Sequence, residues 1–180
     1  MRELLTLCLC LGNLALPAAT QTTYAVGVVP SDDASLADPV SRDAALTADQ
    51  VLAMVRRAVD LVGGMSAYVP ETAKVVLLKP NISIAEPSGS GVVTDARVVR
   101  AVALLVYEAA PQARIVIGEG AGGWISPALR DCTSVNYRGR PRDGFAIAGH
   151  RATVRELRGR GVDIDCFDLN FDRAYSLHPP

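Results

Sequence analysis

The chain has 180 residues, of which 49% are hydrophobic and 21% are charged, and its formal net charge at pH 7 is -1. This length and balance are typical of a globular chain that can bury a core of its own. A charge so close to zero argues against a nucleic-acid-binding protein, which would carry a clustered basic excess. The one short basic run, RGRPR at 138–142, is interpreted as a solvated loop.

The first twenty residues have the sequence features of an export signal, in the usual order. An early arginine is followed by an apolar run at 4–16 and then by Pro17 and small residues. The run is shorter than the roughly 20 apolar residues of a stable membrane span. We therefore predict a cleaved signal over residues 1–20 and a periplasmic or extracellular location. The alternatives are a mis-assigned start codon or a short N-terminal helix, with a cytoplasmic location.

The four cysteines give no metal signature, because the sequence contains no Cys-x-x-Cys spacing. Cys8 and Cys10 lie within the predicted signal and would leave with it. Cys132 and Cys166 remain, and their spacing alone leaves open whether they form a disulfide. We expect Cys166 to be a buried strand residue and Cys132 to be an inert loop thiol.

Strand and helix patterns alternate along the first half of the chain. A strand is predicted at 24–29, YAVGVV. Thr47 and Gln50 form the sequence pattern of a capping box, and the helix that follows carries an apolar stripe up to Gly63 and Gly64. A second strand, VVLL, is predicted at 75–78.

The second half continues the alternation. A helix is predicted from Thr94 or Asp95 to Ala110, followed by a strand at 113–118. No clear period is present at 131–142, and a weak helix is predicted at 143–160. The last strand, at 162–169, alternates apolar residues with aspartates, which is typical of an edge strand.

This alternation predicts an α/β fold: a mostly parallel sheet of about four or more strands with helices on both faces. The layering is Rossmann-like, although the glycine spacing does not match a dinucleotide fingerprint. We predict one domain at 21–172 and a tail at 173–180. The chain is either a small complete domain or the front part of a longer protein, and we favour the second interpretation.

Polar residues lie where these strands end. Lys79 and Asn81 follow the strand at 75–78, Glu119 follows the strand at 113–118, and Asp168 lies at the end of the last strand. Parallel strands end at one edge of the sheet, called here the carboxyl rim, where α/β folds bind ligands. Lys79 and Glu119 are therefore the catalytic candidates, with Asn81 as an orienting amide. Two plainer interpretations stay open: a structural Lys79–Glu119 bridge, and a solvated Glu119 in a loop.

The loop at 87–95, PSGSGVVTD, is the second candidate feature of the site. Gly89 and Gly91 would let backbone amides turn towards one point, and Thr94 and Asp95 open the helix that follows. A glycine-rich turn before a helix is a recurrent anion site, although a simple flexible turn explains the same residues. Gly120 belongs to a second glycine loop, after Glu119.

A histidine-based site is not expected. The sequence has two histidines, His150 and His178, and neither lies at a strand end. We predict His150 to be a surface or half-buried residue. A Ser-His-Asp triad or a histidine-rich metal site is therefore not supported.

The stretch 74–123 resembles the domain-of-unknown-function family DUF362. The resemblance rests on an ordered set of motifs: Lys79-Pro80-Asn81, Thr94-Asp95, Val98-Val99 and Gly118-Glu119-Gly120. Ala96 departs from the family pattern, which commonly has a proline there. The resemblance implies the fold and the polar rim, and it implies that the chain covers the N-terminal part of longer family members. It does not imply a reaction.

Together these features predict an exported α/β domain that binds a small anionic ligand or a metal at the carboxyl rim. Proton transfer or isomerisation is the chemistry that fits best if the protein is an enzyme, since no activated serine or cysteine is present. A non-catalytic binding module and a fragment without activity are the alternatives. The sequence names no cofactor, metal or oligomeric state, and we expect no nucleic-acid partner and no stable membrane span.

Overall fold

The computed structural model describes residues 25–30, 46–82, 86–120, 134–137 and 140–169. The helices are α1 (Ala48–Leu61), α2 (Ala96–Ala109), α3 (Gly144–Ile147) and α4 (His150–Gly159). The strands are β1 (Val75–Leu78), β2 (Arg114–Glu119), β3 (Ser134–Tyr137), β4 (Arg140–Asp143) and β5 (Ile164–Asp168). Within these ranges β1, β2 and β5 form a parallel sheet in that order, and β3 pairs with β4 as a separate antiparallel hairpin.

Helix α1 begins at the predicted capping box. The Gln50 amide donates to Thr47 Oγ1 at 3.2 Å, and the Thr47 amide donates to Gln50 Oε1 at 2.8 Å. Two backbone amides at the helix start are thereby satisfied. The helix packs against α2, where Arg56 and Glu108 form a bidentate ion pair with distances of 2.7 Å. The prediction of this helix is confirmed.

The core lies between the sheet and helices α2 and α4. Strand β2 is central, and its Ile115 and Ile117 are completely buried against this helical layer. Side chains alternate between the two faces of a strand, so the opposite face carries the other residues. There Leu77 of β1 is 53% exposed and Phe167 of β5 is 47% exposed. In the described ranges, α2 and α4 therefore cover one face of the sheet.

The α/β class and the parallel pairing are confirmed for three strands, but four or more strands and helices on both faces are not. The structure assigns no strand to residues 25–30, where most of the first strand was predicted. At Gly27 an added Cβ would lie 2.4 Å from the carbonyl oxygen of Ala58, so this segment lies directly against helix α1. The predicted signal at 1–20, Tyr24, the tail at 173–180 and Cys132 lie outside the described residues.

The predicted helix at 143–160 is two helices. Gly149 separates α3 from α4 with a φ of 86°, a left-handed conformation that interrupts a right-handed helix. Asp143 caps α3 by accepting a hydrogen bond from the amide of Phe145. The β3–β4 hairpin comes from the region where the sequence showed no period.

Strand β5 is an edge of the described sheet, as its alternating pattern predicted. Arg158 Nε donates to the carbonyl oxygen of Ile164 at 2.7 Å, so a side chain occupies part of the strand edge. Cys166 is a buried residue of this strand, and burial raises the pKa of its thiol to about 12. None of the described helices is long and apolar enough to cross a membrane.

Candidate functional site

Lys79 and Glu119 meet at the carboxyl rim. The register pairs Leu78 of β1 with Ile117 of β2, which brings the ends of these neighbouring strands together. Lys79 Nζ lies 2.6 Å from Glu119 Oε2. The side chain of Lys79 is 60% exposed, whereas that of Glu119 is only 8% exposed. The interpretation of Glu119 as a solvated loop carboxylate is therefore wrong, because it is the buried last residue of β2.

Backbone amides hold the Glu119 carboxylate in place. The Ile82 amide donates to Oε1 at 3.4 Å, and the Gly120 amide donates to Oε2 at 3.2 Å. Together with the ammonium group of Lys79, these amides fix the positions of the two carboxylate oxygens. Of the predicted site residues, Lys79, Glu119 and Gly120 are thus in direct contact.

Asp168 lies beside Glu119 on the neighbouring strand. The register pairs Glu119 of β2 with Asp168 of β5, and both residues are buried. Residues directly opposite each other on parallel strands point to the same face. Sequence analysis placed Asp168 at a strand end but left it out of the candidate site. The spacing Ile164, Cys166, Asp168 was the available signal, since it puts all three on the core face of β5.

Asn81 is a structural clamp. Its amide donates to Thr94 Oγ1 at 2.8 Å, its carbonyl accepts from the Thr94 amide at 3.0 Å, and its Nδ2 donates to the carbonyl of Val92 at 3.1 Å. These bonds fasten the segment after β1 to the loop before α2. Because the next residue, Ile82, donates to Glu119, the clamp links that loop to the ion pair.

The first backbone amides of helix α2 already donate hydrogen bonds to side chains of this protein. The amide of Ala96 donates to Ser88 Oγ at 2.7 Å, and the amide of Arg97 donates to Asp95 Oδ1 at 2.8 Å. Asp95 is the N-cap, and its carboxylate is paired with the Arg97 guanidinium. Hydrogen bonding from Arg97 lowers the pKa of Asp95. An anion at this loop would therefore have to use the amides of the turn itself.

Gly89 and Gly91 form that turn, with φ values of 83° and 75°. Within the described part of the chain, the contacts do not join either glycine or Asp95 directly to Lys79 or Glu119. Their connection to the rim runs through Thr94 and Asn81. The structure thus brings the predicted site residues together as two groups that Asn81 connects.

His150 is the clearest departure from expectation at this end of the fold. It is completely buried at the start of α4, so the prediction of a surface or half-buried residue is wrong. Burial lowers the pKa of its imidazole to about 4, and the nearby Asp95 carboxylate partly opposes that effect. The spacing of His150, Val154 and Leu157 matches one helical face and was the available signal.

A metal site with several side-chain ligands is not apparent among the described residues, where no three His, Cys, Asp or Glu residues come together in a suitable group. Glu119 and Asp168 are two buried carboxylate residues in register on neighbouring strands.

Comparison with known proteins gives one result. Neither a curated protein nor a solved structure matches the chain. The model of DUF362, a domain of unknown function, matches residues 76–174, which is more than half of the chain. The matched range includes Lys79, Asn81, Thr94, Glu119 and Asp168. The chain therefore belongs to the DUF362 family, as its Lys-Pro-Asn, Thr-Asp and Gly-Glu-Gly motifs indicated.

Proposed function

We propose that this DUF362 domain binds a small anionic ligand at the carboxyl rim through Lys79. The observation that carries the proposal is the asymmetry of the ion pair, in which the carboxylate of Glu119 is buried and the side chain of Lys79 is mostly exposed. An ammonium group has three donor hydrogens, so one contact with Glu119 leaves donor capacity for a second acceptor. Glu119 fixes the ammonium position before the ligand arrives, which reduces the ordering cost of binding.

The glycine turn supplies the second part of the proposed site. Gly89 and Gly91 shape the loop that Asn81 and Thr94 hold near the rim. Amides of such a turn can point at one anionic group. Asp95 and Ser88 contribute indirectly, since they occupy the first amides of α2 and fix the end of the loop.

The same geometry supports proton transfer as the catalytic extension of the proposal. A ligand carboxylate held by Lys79 would place its neighbouring carbon near Glu119. Glu119 could accept a proton from that carbon while the ammonium stabilises the negative charge that develops on the carboxylate. Return of the proton from Glu119 to a different carbon of the same ligand would complete an isomerisation without net change in atoms or electrons. In the non-catalytic alternative, the rim binds the ligand without this exchange.

Binding is tested by thermal unfolding of the full-length chain with small carboxylates and inorganic phosphate. A ligand at 100 times its dissociation constant stabilises a fold by about 2.7 kcal/mol. The chain has two lysines, so Lys74→Ala is a matched control for Lys79→Ala. We expect the stabilisation to persist in Lys74→Ala and to disappear in Lys79→Ala. Equal stabilisation of both variants would place the ligand elsewhere and refute the proposal.

Turnover is tested separately from binding. Glu119→Gln keeps a side chain of similar shape but cannot accept a carbon-bound proton. If the protein is an isomerase, this variant still binds the ligand and loses solvent deuterium incorporation at the ligand carbon. Ligand binding by the wild type without any deuterium incorporation would indicate the non-catalytic module. Absence of a cooperative unfolding transition would indicate the fragment without activity.

A divalent cation is the second candidate ligand, because Glu119 and Asp168 place two buried carboxyl groups side by side. Carboxylate oxygens suit magnesium, calcium and manganese. Stabilisation by one of these ions that is lost in Asp168→Asn and retained in the exposed Asp163→Asn would support it. Stabilisation that survives in both variants would exclude this pair as the metal site.

Export is proposed from the first twenty residues. A signal there would be removed, so the mature protein recovered from its natural source should begin near Gln21. N-terminal sequencing tests this expectation, and an intact Met1 or Arg2 on the mature protein would contradict it.

A further inference from the structure

The buried imidazole of His150 lacks hydrogen-bond partners. Both ring nitrogens are buried and neither has a donor or acceptor within the described residues. Buried polar groups are nearly always hydrogen-bonded, since an unsatisfied group loses its interaction with water without replacement. The buried imidazole of His150 therefore lowers the stability of the fold, and its position shows which contact it affects.

His150 directly follows the turn between α3 and α4, which contacts the start of α2. This contact, called here the junction, is formed by Ser88, Ala96, Ala148 and Gly149. Ser88 Oγ donates to the carbonyl of Ala148 at 2.8 Å and accepts from the Ala96 amide at 2.7 Å. One hydroxyl thus fastens the start of α2 to the turn between α3 and α4. At Gly149 an added Cβ would lie 3.1 Å from Ala96 Cβ, so the two backbones approach closely.

Charges around the junction are arranged in pairs. The ring of Phe145 packs edge-on to His150 with ring centroids 6.5 Å apart. Asp95, at the start of α2, is the carboxylate whose charge acts on the imidazole, and Arg97 is bonded to it. Asp143 before α3 and Asp165 on β5 both pair with Arg151 on α4. Further pairs on the surrounding elements are Arg100 of α2 with Glu156 of α4, and Arg158 of α4 with Asp165.

We propose that His150 makes the junction responsive to acid: uptake of a second proton by the buried ring opens the contact between the start of α2 and the α3–α4 turn. An imidazolium has two N–H donors and a positive charge, whereas this ring has no exposed surface and no hydrogen-bond partner among the described residues. Asp95, the carboxylate whose charge acts on the ring, accepts hydrogen bonds from the Arg97 guanidinium and from the Arg97 amide. The charged ring must therefore reach solvent or take Asp95 from these partners, and either movement disturbs the junction.

The pH range follows from the two states of the ring. Burial lowers the pKa of His150 to about 4 in the closed junction, against 6.5 for an exposed histidine. Between these values an open form binds a proton that the closed form does not, so acid favours opening. The opening equilibrium should rise by up to tenfold for each pH unit below 6.5, and by about 300-fold in total.

A ligand role for this imidazole is less consistent with the contacts. The first amides of α2 already have acceptors in Ser88 and Asp95, and the ring itself has no exposed surface. The negative charge that acts on His150 is thus the Asp95 carboxylate of this chain and not a bound ligand. The proposed response to acid does not depend on the rim ligand, because each of its steps concerns the junction alone.

Amide hydrogen exchange of the full-length chain tests the proposal, with rates corrected for the intrinsic effect of pH. The reporter is the Ala96 amide, which Ser88 protects, and the reference is the Ala110 amide at the other end of α2, which donates to Val106. From pH 6.5 to 4.5 we expect the opening constant at Ala96 to increase by about 40-fold and to exceed the opening constant at Ala110 at both pH values. Since protonation of His150 also lowers global stability, the proposal requires Ala96 to open more readily than Ala110. Equal opening constants at the two amides would mean that global unfolding alone exposes Ala96, and would overturn the proposal.

Variants separate the ring from other acid effects. His150→Met has a similar volume and cannot take up a proton, so the pH dependence at Ala96 should disappear, whereas His178→Met should leave it intact. The same pH dependence in His150→Met would overturn the proposal.

A ring titration of the wild type keeps the test valid even if His150→Met fails to fold. We expect proton uptake at His150, followed by NMR, to have a midpoint well below 6.5 and to accompany loss of protection at Ala96. Asp95→Asn keeps a good N-cap but removes the charge, so it should lower the midpoint. Proton uptake near pH 6.5 with Ala96 still protected, or an unchanged midpoint in Asp95→Asn, would overturn the proposal.

Discussion

Replacing Lys79 by methionine removes the ammonium group from the rim and keeps most of the aliphatic side chain. Glu119 then remains a buried carboxylate with its two amide donors and without the cation that lies 2.6 Å away in the wild type. Loss of a partner from a buried charge destabilises a protein more than loss of an exposed pair does. The variant should therefore be less stable than the wild type even without a ligand.

The magnitude follows from the distance and the exposure of the two side chains. At 2.6 Å the attraction is about 1.6 kcal/mol at the dielectric constant of water and about 6 kcal/mol at an effective value of 20. Since the Lys79 side chain is 60% exposed, solvent screening keeps the net interaction towards the lower value. We expect Lys79→Met to lower the free energy of unfolding by about 2 kcal/mol and the coupling between Lys79 and Glu119 to be about 1–2 kcal/mol.

Urea unfolding of Lys79→Met, Glu119→Gln and the double variant measures this coupling as a double-mutant cycle. Lys74→Met is the matched control, and its exposed side chain should change stability by no more than about 0.5 kcal/mol. A coupling below about 0.3 kcal/mol would mean that the pair contributes no net stability. The rim would then not be pre-organised by Glu119, and the main argument for Lys79 as the anion-binding group would fail.

Three further predictions concern stability. The pKa of His150 is about 4 in the fold and 6.5 when exposed, so acid should lower the free energy of unfolding by about 2 kcal/mol between pH 7 and pH 5. Urea unfolding at both pH values measures this loss, and an equal loss in His150→Met would contradict the assignment to His150. Gly149→Ala should cost about 1–2 kcal/mol, because residue 149 has a positive φ. Gly159→Ala has open space at its Cβ and should be neutral or slightly stabilising. Thermal unfolding compares the two variants, and equal effects would refute the strain argument. Arg100→Ala removes a buried guanidinium paired with the exposed Glu156 and should cost about 2–3 kcal/mol in urea unfolding, against less than about 0.5 kcal/mol for the exposed Arg155→Ala. A small loss in both variants would show that the Arg100 contacts add little stability.

The elements that the sequence predicted best are those with a strong local signal. Helix α1 has a capping box and a clear apolar stripe, and strands β1 and β2 are short apolar runs that end in polar residues. Local patterns do not determine which strands pair, and residues 25–30 read as a strand although they lie against α1. The break at Gly149 was also missed, because a glycine within a helical pattern is compatible with both a continuous and an interrupted helix.

The rim was predictable because parallel strands put their last residues at one edge, which brings Lys79 and Glu119 together without knowledge of the register. The partners of Asp95 and His150 were not predictable in this way. Asp95 is satisfied by Arg97 two residues along the chain, and His150 is buried by packing between elements distant in sequence. The Asp95–Arg97 contact is local, and the helical spacing of His150 with Val154 indicated a buried face. Which elements bury the His150 ring depends on tertiary packing.

The order of residues in Lys-Pro-Asn explains how an apolar strand can end in a cation. Leu78, paired with Ile117, is the last residue of β1 in register with β2, and the buried Pro80 has no amide hydrogen to continue the ladder. Lys79 can therefore turn its ammonium towards Glu119, while the amide and carbonyl of Asn81 bond to Thr94 and not to β2. Asn81 thus sets the direction of the chain on which Lys79 depends. Loss of ligand binding in an Asn81 variant would consequently report a displaced loop as readily as a lost ligand contact, so the test of the anion site uses Lys79→Ala and not an Asn81 variant.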